Sequence, residues 1–392
     1  MEGRWDSPSW VGYTRHVPPR LVQIRPKKLA PELRKPRPAY RLERNPVRRL
    51  ALRLWGDAHA LRVSIQLAFV ALCVWIGIEF HAFVQWGLSG GAYPGRPPGV
   101  EGFLPISALI GFKHWLVTGA INRVHPAAMV ILLAIVLMSL AVKKAFCSFL
   151  CPVGTLSEYL WRLGRLVYRK NLLLPRWLDY PLRALKYLLL LFFLWAVLKM
   201  DPPTLDAFVN SPYNKVADIK MYLFFAELSG LALKVLVVLA VLSLFVKNVW
   251  CRFLCPYGAL LGMVGWLSPL KVTRSKDTCI DCELCTRACP SDIRVHTAGR
   301  VWSDECTSCL ECVAACPVKD TLEVRARGKA VSARMIAAIV VGIFLGVTGL
   351  AMLTGHWQNR IAPDEYLLRF TRLDSPMYQH ARGHVPAYGP ED

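Results

Sequence analysis

The chain has 392 residues, 54% of them hydrophobic, and 48 Lys and Arg against 27 Asp and Glu give a formal net charge of +21. It is more apolar than an ordinary soluble domain. Because long apolar blocks separate the basic segments, the charge argues for a membrane protein obeying the positive-inside rule and against nucleic-acid binding.

Residues 1–60 are rich in Arg, Lys and Pro, as in Arg25-Pro26-Lys27-Lys28 and Arg34-Lys35-Pro36-Arg37-Pro38. Such a composition forbids a packed core and predicts an extended, mostly disordered cytoplasmic arm that touches anionic lipid. No short apolar run follows the start, so no cleavable signal peptide is expected. Residues 63–83 form the first block long enough to span a bilayer, for which roughly 20 apolar residues are needed. Four more follow, at about 124–142, 182–198, 228–246 and 335–353, with Arg183 and Lys186 snorkelling from the start of the third. Lys and Arg crowd residues 1–60, 143–186 and 247–334 and thin out in 84–123, 199–227 and 354–392. Five spans with the N-terminus in the cytoplasm satisfy every one of these asymmetries.

Glu79, His81, Glu101, His114 and His125 fall near the outer ends of the first two spans. Ionisable groups at a membrane boundary raise a functional question, and His with Glu is what proton release from a quinol would use. The competing readings are a wet loop or a b-type haem between His81 and His125. Mid-span Cys73 reads as packing.

Phe146-Cys147-Ser148-Phe149-Leu150-Cys151-Pro152-Val153-Gly154 and Trp250-Cys251-Arg252-Phe253-Leu254-Cys255-Pro256-Tyr257-Gly258 are one pattern written twice, 104 positions apart. The same offset maps the second span onto the fourth, which predicts a pseudo-symmetric pair of helix pairs with the two C-x3-C-P elements facing one another at the cytoplasmic surface. Cys147, Cys151, Cys251 and Cys255 then offer four thiolates for a further metal or cluster; redox thiols or packed small residues are the alternatives.

Residues 279–317 read C-I-D-C-E-L-C-T-R-A-C-P, a spacer, then C-T-S-C-L-E-C-V-A-A-C-P. Both runs match the bacterial ferredoxin pattern, in which three thiolates hold one [4Fe–4S] cluster and the fourth holds its neighbour. Cys279, Cys282, Cys285 and Cys316 are expected on one cluster, and Cys306, Cys309, Cys312 and Cys289 on the other. A zinc ribbon, the alternative for soft thiolates, needs only two C-x-x-C pairs. Clusters need reduced thiols, which places this segment in the cytoplasm. The tail, 354–392, with Trp357, His380 and His384, is too small to fold alone and reads either as a clasp for a partner subunit or as loose. No G-x-G-x-x-G, G-x-x-x-x-G-K-[ST] or C-x-x-C-H occurs, so nucleotide sites and c-type haem are not expected.

With two C-x3-C-P elements after paired spans and a two-cluster segment behind them, residues 60–330 resemble the NapH/NosR/CcoG group of membrane polyferredoxins, most closely its NapH-like members. Glu101-Gly102-Phe103-Leu104-Pro105-Ile106-Ser107 and His125-Pro126-Ala127 resemble uncharacterised members of that group. In the NapH type the resemblance implies a quinol-linked electron-transfer subunit, and in the CcoG type an accessory protein for oxidase copper-site assembly. The chain departs from the CcoG type in lacking a large soluble domain after the last span, and from the NosR type in lacking a flavin-carrying outer domain. It adds a basic arm and a fifth span to a minimal NapH.

The expectation is a mainly α, multi-pass protein of the bacterial inner membrane, divided into a basic arm (1–60), a transmembrane repeat region (61–270), an α+β two-cluster ferredoxin-type insert (271–328), a fifth span (329–353) and an outer tail (354–392). Its expected role is electron transfer between the quinone pool and a redox partner. A copper-assembly role is the alternative.

Overall fold

The computed structural model describes residues 31–36, 43, 45–169 and 171–378, so most of the expected disordered arm, and His380 and His384 of the tail, lie outside the described residues. Where the arm is described it is ordered. Residues 31–36 lay a short strap along the ferredoxin segment, with Lys35 N donating to Pro317 O at 2.9 Å and Lys319 N to Leu33 O at 3.0 Å. From residue 46 the chain is helical, contrary to the extended arm expected up to residue 60. Asn45 caps α1 (Pro46–Gly56) by accepting from the Val47 and Arg48 amides, and Pro46 fits the first helical position. Asp57 then caps α2 (Ala58–Ser89), which at 32 residues is roughly 48 Å long.

After a 3-10 turn at Pro98–Phe103 come α3 (Pro105–Thr118), α4 (Pro126–Val142), α5 (Ala145–Phe149), α6 (Pro152–Tyr168), α7 (Arg176–Lys199), α8 (Pro202–Asn210), α9 (Pro212–Lys215), α10 (Ala217–Ala226) and α11 (Gly230–Phe245). A π turn at Trp250–Leu254 leads into α12 (Pro256–Val264). Three of these elements and their successors, α2, α7 and α15 (Ala333–Leu353), are long and apolar enough to cross a membrane; α10 and α11, bent by 77°, make a fourth if they count as one span. The expected span at 124–142 falls short: α4 has only 17 residues, about 25 Å against the roughly 30 Å of a hydrocarbon core. It is buried inside the protein, packed by α15, α3 and α12, so it has no need to match a bilayer by itself.

The two halves of the repeat pack crosswise. α6, from the first, lies on α11 of the second, with Gly164 directly against the Leu244 backbone. α12, from the second, lies on α4 of the first, and Ser268 Oγ beyond it donates to Ala141 O at 2.8 Å.

The ferredoxin segment is a three-stranded antiparallel sheet, β1 (Lys271–Arg274), β2 (Leu322–Ala326) and β3 (Lys329–Val331), ordered β1-β2-β3, and the connection from β1 to β2 carries α13 (Leu284–Ala288) and α14 (Glu311–Ala315), which pack on each other. Val272, Leu322 and Val324 of the sheet join Met138 and Val142 of α4 and Ile336 and Val340 of α15 in one core. The module is therefore seated on the helices. The tail also folds back: α16 (Pro363–Phe370) buries Tyr366 and Phe370 against Phe80, Phe83, Val216 and Ile219, at the opposite end of α2 from the module.

Candidate metal centres

Each C-x2-C-x2-C run of the module must curl tightly enough for three side chains to face inward. The backbone does this with pairs of left-handed residues between the cysteines, Asp281 and Glu283 in the first run and Ser308 and Leu310 in the second. Two cavities result. One, of about 350 Å³, is lined by Cys279, Cys282, Cys285 and Cys316; the other, of about 360 Å³, by Cys289, Cys306, Cys309 and Cys312. In each, three cysteines of one run meet the Cys-Pro cysteine of the other. The first set is half-exposed, whereas Cys289, Cys306 and Cys312 are buried.

The C-x3-C-P elements are built differently. Cys151 and Cys255 are helix N-caps: Pro152 and Pro256 open α6 and α12, and the amides of Gly154 and Gly258 point at the two sulfurs at 3.4 and 3.3 Å. A helix N-terminus favours a thiolate. Gly154 is required by space, since a Cβ there would lie 2.3 Å from Cys147 O. Cys147, Cys151, Cys251 and Cys255 line one cavity of about 550 Å³, together with Lys144, Ser291, Glu305 and Thr307.

These residue sets fit iron–sulfur clusters. All are soft thiolate donors, and among the described residues no three His, Cys, Asp or Glu side chains close on a single ion. The cysteines surround cavities instead. Burial pushes Cys289 up to about 11 and Cys309 to about 12, the latter against the pull of Arg62, and takes Cys151 to about 11 and Cys147 higher still.

Buried ion pairs join the module to the helices. The Arg62 guanidinium donates to both carboxylate oxygens of Glu158, at 2.6 and 2.7 Å, and to Glu311 at 2.6 Å. Lys144 lies 3.3 Å from Glu305, and Lys186, fully buried, also pairs with it. Burial opposes ionisation of Glu305, but Lys144 and Lys186 outweigh it and hold the carboxyl down at about 2. Lys247 lies 3.0 Å from Asp292 and donates to Cys289 O at 3.1 Å. Of these partners the sequence singled out Lys186, as a snorkelling residue; it is instead fully buried on Glu305, whose carboxylate takes the place of water, and this overturns that expectation. One signal was present: Lys143 and Lys247 are separated by the 104-residue offset, so each repeat places a lysine just before its cysteines.

At the other end the five His and Glu residues do not form one group. Glu79 is exposed and accepts from Trp75 Nε1 at 2.9 Å; His81 faces the Tyr222 hydroxyl at 2.5 Å; His114 lies 3.4 Å from Asp206. Glu101 and His125 do come together, with His125 Nδ1 3.4 Å from Glu101 Oε1 and Nε2 2.6 Å from Asn214 O. Both are fully buried, which overturns the wet-loop reading for this pair. Arg96 bridges Glu101, at 2.9 Å, and Asp218, at 2.7 Å, so that one guanidinium serves both buried carboxylates. His81 and His125 are engaged in separate places, so the haem pairing is not formed.

A family model described as a 4Fe-4S binding domain matches the chain twice, over residues 124–171 and 228–275, and a 4Fe-4S dicluster domain matches residues 271–317. The putative electron transport protein YccM of Escherichia coli is 42% identical over 335 residues, covering 83% of this chain and 93% of that protein. The methylamine utilization ferredoxin-type protein MauN of Paracoccus denitrificans is 29% identical, over 62% of this chain and 80% of its own length. The ferredoxin-type protein NapH of Escherichia coli is 27% identical, over 40% of this chain and 50% of its own. No solved structure matches.

Proposed function

The chain belongs to the 4Fe-4S ferredoxin-type electron-transport proteins, and from that membership we propose that it carries single electrons between the quinone pool of a bacterial inner membrane and a redox partner. The observation that carries this reading is the pair of adjoining cavities, each with four cysteines drawn from both runs. Cys279, Cys282, Cys285 and Cys316 would hold one [4Fe–4S] cluster and Cys306, Cys309, Cys312 and Cys289 the other. Such a cluster takes up and releases one electron at a time. The protein sets burial and charge: the Cys289 set is enclosed and tied to Lys247, whereas the Cys279 set lies at the surface where a partner docks.

Five spans, with α4 as a short protein-enclosed one, put the module and the basic segments on the cytoplasmic side and His81, His114 and the Glu101–His125 pair at the outer end. Each quinol oxidised releases two electrons and two protons; exposed His81, hydrogen-bonded to Tyr222, is the group placed to take a proton there.

In anaerobic membranes a reduced naphthoquinol analogue should generate the paramagnetic signals of the reduced clusters. His81→Ala should slow this several-fold with cluster content unchanged. Clusters that no quinol reduces, together with copper-dependent rescue of a deletion strain, would overturn the reading in favour of copper assembly.

A further inference from the structure

We propose that Cys147, Cys151, Cys251 and Cys255 jointly hold one further [4Fe–4S] cluster, and that this is the helix-side end of a single file of three. The inference rests on the electron-carrier reading above and adds a third site and the order of the sites.

Three observations carry it. All four sulfurs line one cavity, so the two halves of the repeat complete a single site between them; neither half has four thiolates of its own. Two buried cations, Lys144 and Arg252, line the cavity beside the carboxylate of Glu305, which Lys186 also pairs from outside the lining. Cations next to cysteines favour the thiolate form, which four ligands of an iron–sulfur core require. Finally, Ser291 and Thr307 line both this cavity and that of Cys289, Cys306, Cys309 and Cys312, so one layer of residues separates the two. That layer is fixed: Ser148 Oγ donates to Thr307 O at 2.7 Å and Ser291 Oγ to Glu305 O at 3.0 Å. The half-exposed Cys279 cavity shares no lining residue with either of the others, but α13, which carries Cys285, packs on α14, which carries Cys312. The order is therefore Cys147 set, Cys289 set, Cys279 set, from helices to surface.

The test uses the full chain purified anaerobically into nanodiscs. Iron and acid-labile sulfide should each reach about 12 per chain, as three four-iron clusters require. The double variants Cys147→Ser/Cys151→Ser and Cys251→Ser/Cys255→Ser should each fall to about 8, because either pair is half of the same site; the two surviving ferredoxin signals report that the protein is folded. Wild-type iron of about 8, stoichiometric copper or zinc, or pairs that remove separate metal complements would overturn the shared cluster. The order is read without any quinol. In the fully reduced protein the Cys289-set signal should saturate at several-fold lower microwave power once either pair is replaced, while the Cys279-set signal is unmoved. A change confined to the Cys279 set would overturn the order. Neither readout depends on quinol oxidation, so the quinone reading can fail while this one stands.

Discussion

The first and second halves of the repeat share a pattern but not an environment. In α4 most side chains are buried, whereas in α11, 104 positions on, Ser243 alone is. The difference comes from outside the repeat: α2, α15 and the sheet of the module all pack on the first half. Among the described residues α6 is the main element packed on α11, whose exposed Leu231, Leu233, Val237 and Val238 make a surface suited to lipid. A repeated sequence thus fixes local geometry, here a capped cysteine at a helix start, while burial depends on what else the chain lays over each copy.

The largest expected effect lies where the halves interlock. An alanine Cβ at Gly164 would stand 1.7 Å from Leu244 O, and because that atom is backbone it cannot rotate away. Gly164→Ala should cost more than ~3 kcal/mol, the upper end for overpacking, and is expected to prevent recovery of folded protein. A monodisperse variant with wild-type thermal stability would show that α6 and α11 do not pack this closely.

Next comes the burial contrast itself. Met138 in α4 is fully buried, and its counterpart Leu242 in α11 is 44% exposed. Met138→Ala should cost ~2–5 kcal/mol. Leu242→Ala should cost well under ~1 kcal/mol, since it leaves no enclosed cavity. Equal losses of stability in detergent would break the comparison.

The cysteine grouping of the module was legible in the residues, because three of the four cysteines at each cavity come from one C-x2-C-x2-C run that distant contacts cannot rearrange. The C-x3-C-P elements were legible as a pair through their offset, and their meeting at one cavity follows from the crosswise packing of α6 on α11 and α12 on α4. The buried charges were not legible. Arg96 pairs with Asp218 across 122 residues and Lys186 with Glu305 across 119, and no local pattern distinguishes such residues from solvated ones. The helix at 46–56 was hidden by a composition rich in Arg, though Asn45-Pro46 is an ordinary N-terminal signal. The enclosure of α4 by protein was not legible, because hydropathy reports apolarity and not whether lipid or protein supplies it.

Glycine spacing sharpens the comparison further. A Cβ at Gly154 would meet Cys147 O at 2.3 Å, but at Gly258 the matching distance to Cys251 O is 3.3 Å. Gly154→Ala should therefore displace Cys147 and lower iron content, with a stability loss of ~1–3 kcal/mol. Gly258→Ala should be tolerated within ~1 kcal/mol, because the neighbour need give by only a few tenths of an ångström. Iron analysis and thermal melts of the two variants side by side decide this, and identical behaviour would mean that the two elements are equivalent in space as well as in sequence.

The smallest effect concerns the tail helix α16, which lies over Val216 and Ile219. Glu365 ties it there through Lys215 of α9 at 2.9 Å, and Arg369 on the same helix also pairs with Glu365 at 2.5 Å. Burial opposes its ionisation, but these two cations keep the carboxyl below its ordinary value. A lowered folded value means that the contribution is fully present above the ordinary carboxylate range and fades as pH falls through the folded value. It should also weaken with salt, because Glu365 is partly exposed. Amide protection factors over residues 363–370, taken relative to the intrinsic exchange rate at each pH, should accordingly fall on acidification in the wild type, while Glu365→Gln should be less protected at neutral pH and show less of the acid response. Exchange that is unchanged by the substitution would mean that Tyr366 and Phe370 hold the tail by apolar burial alone.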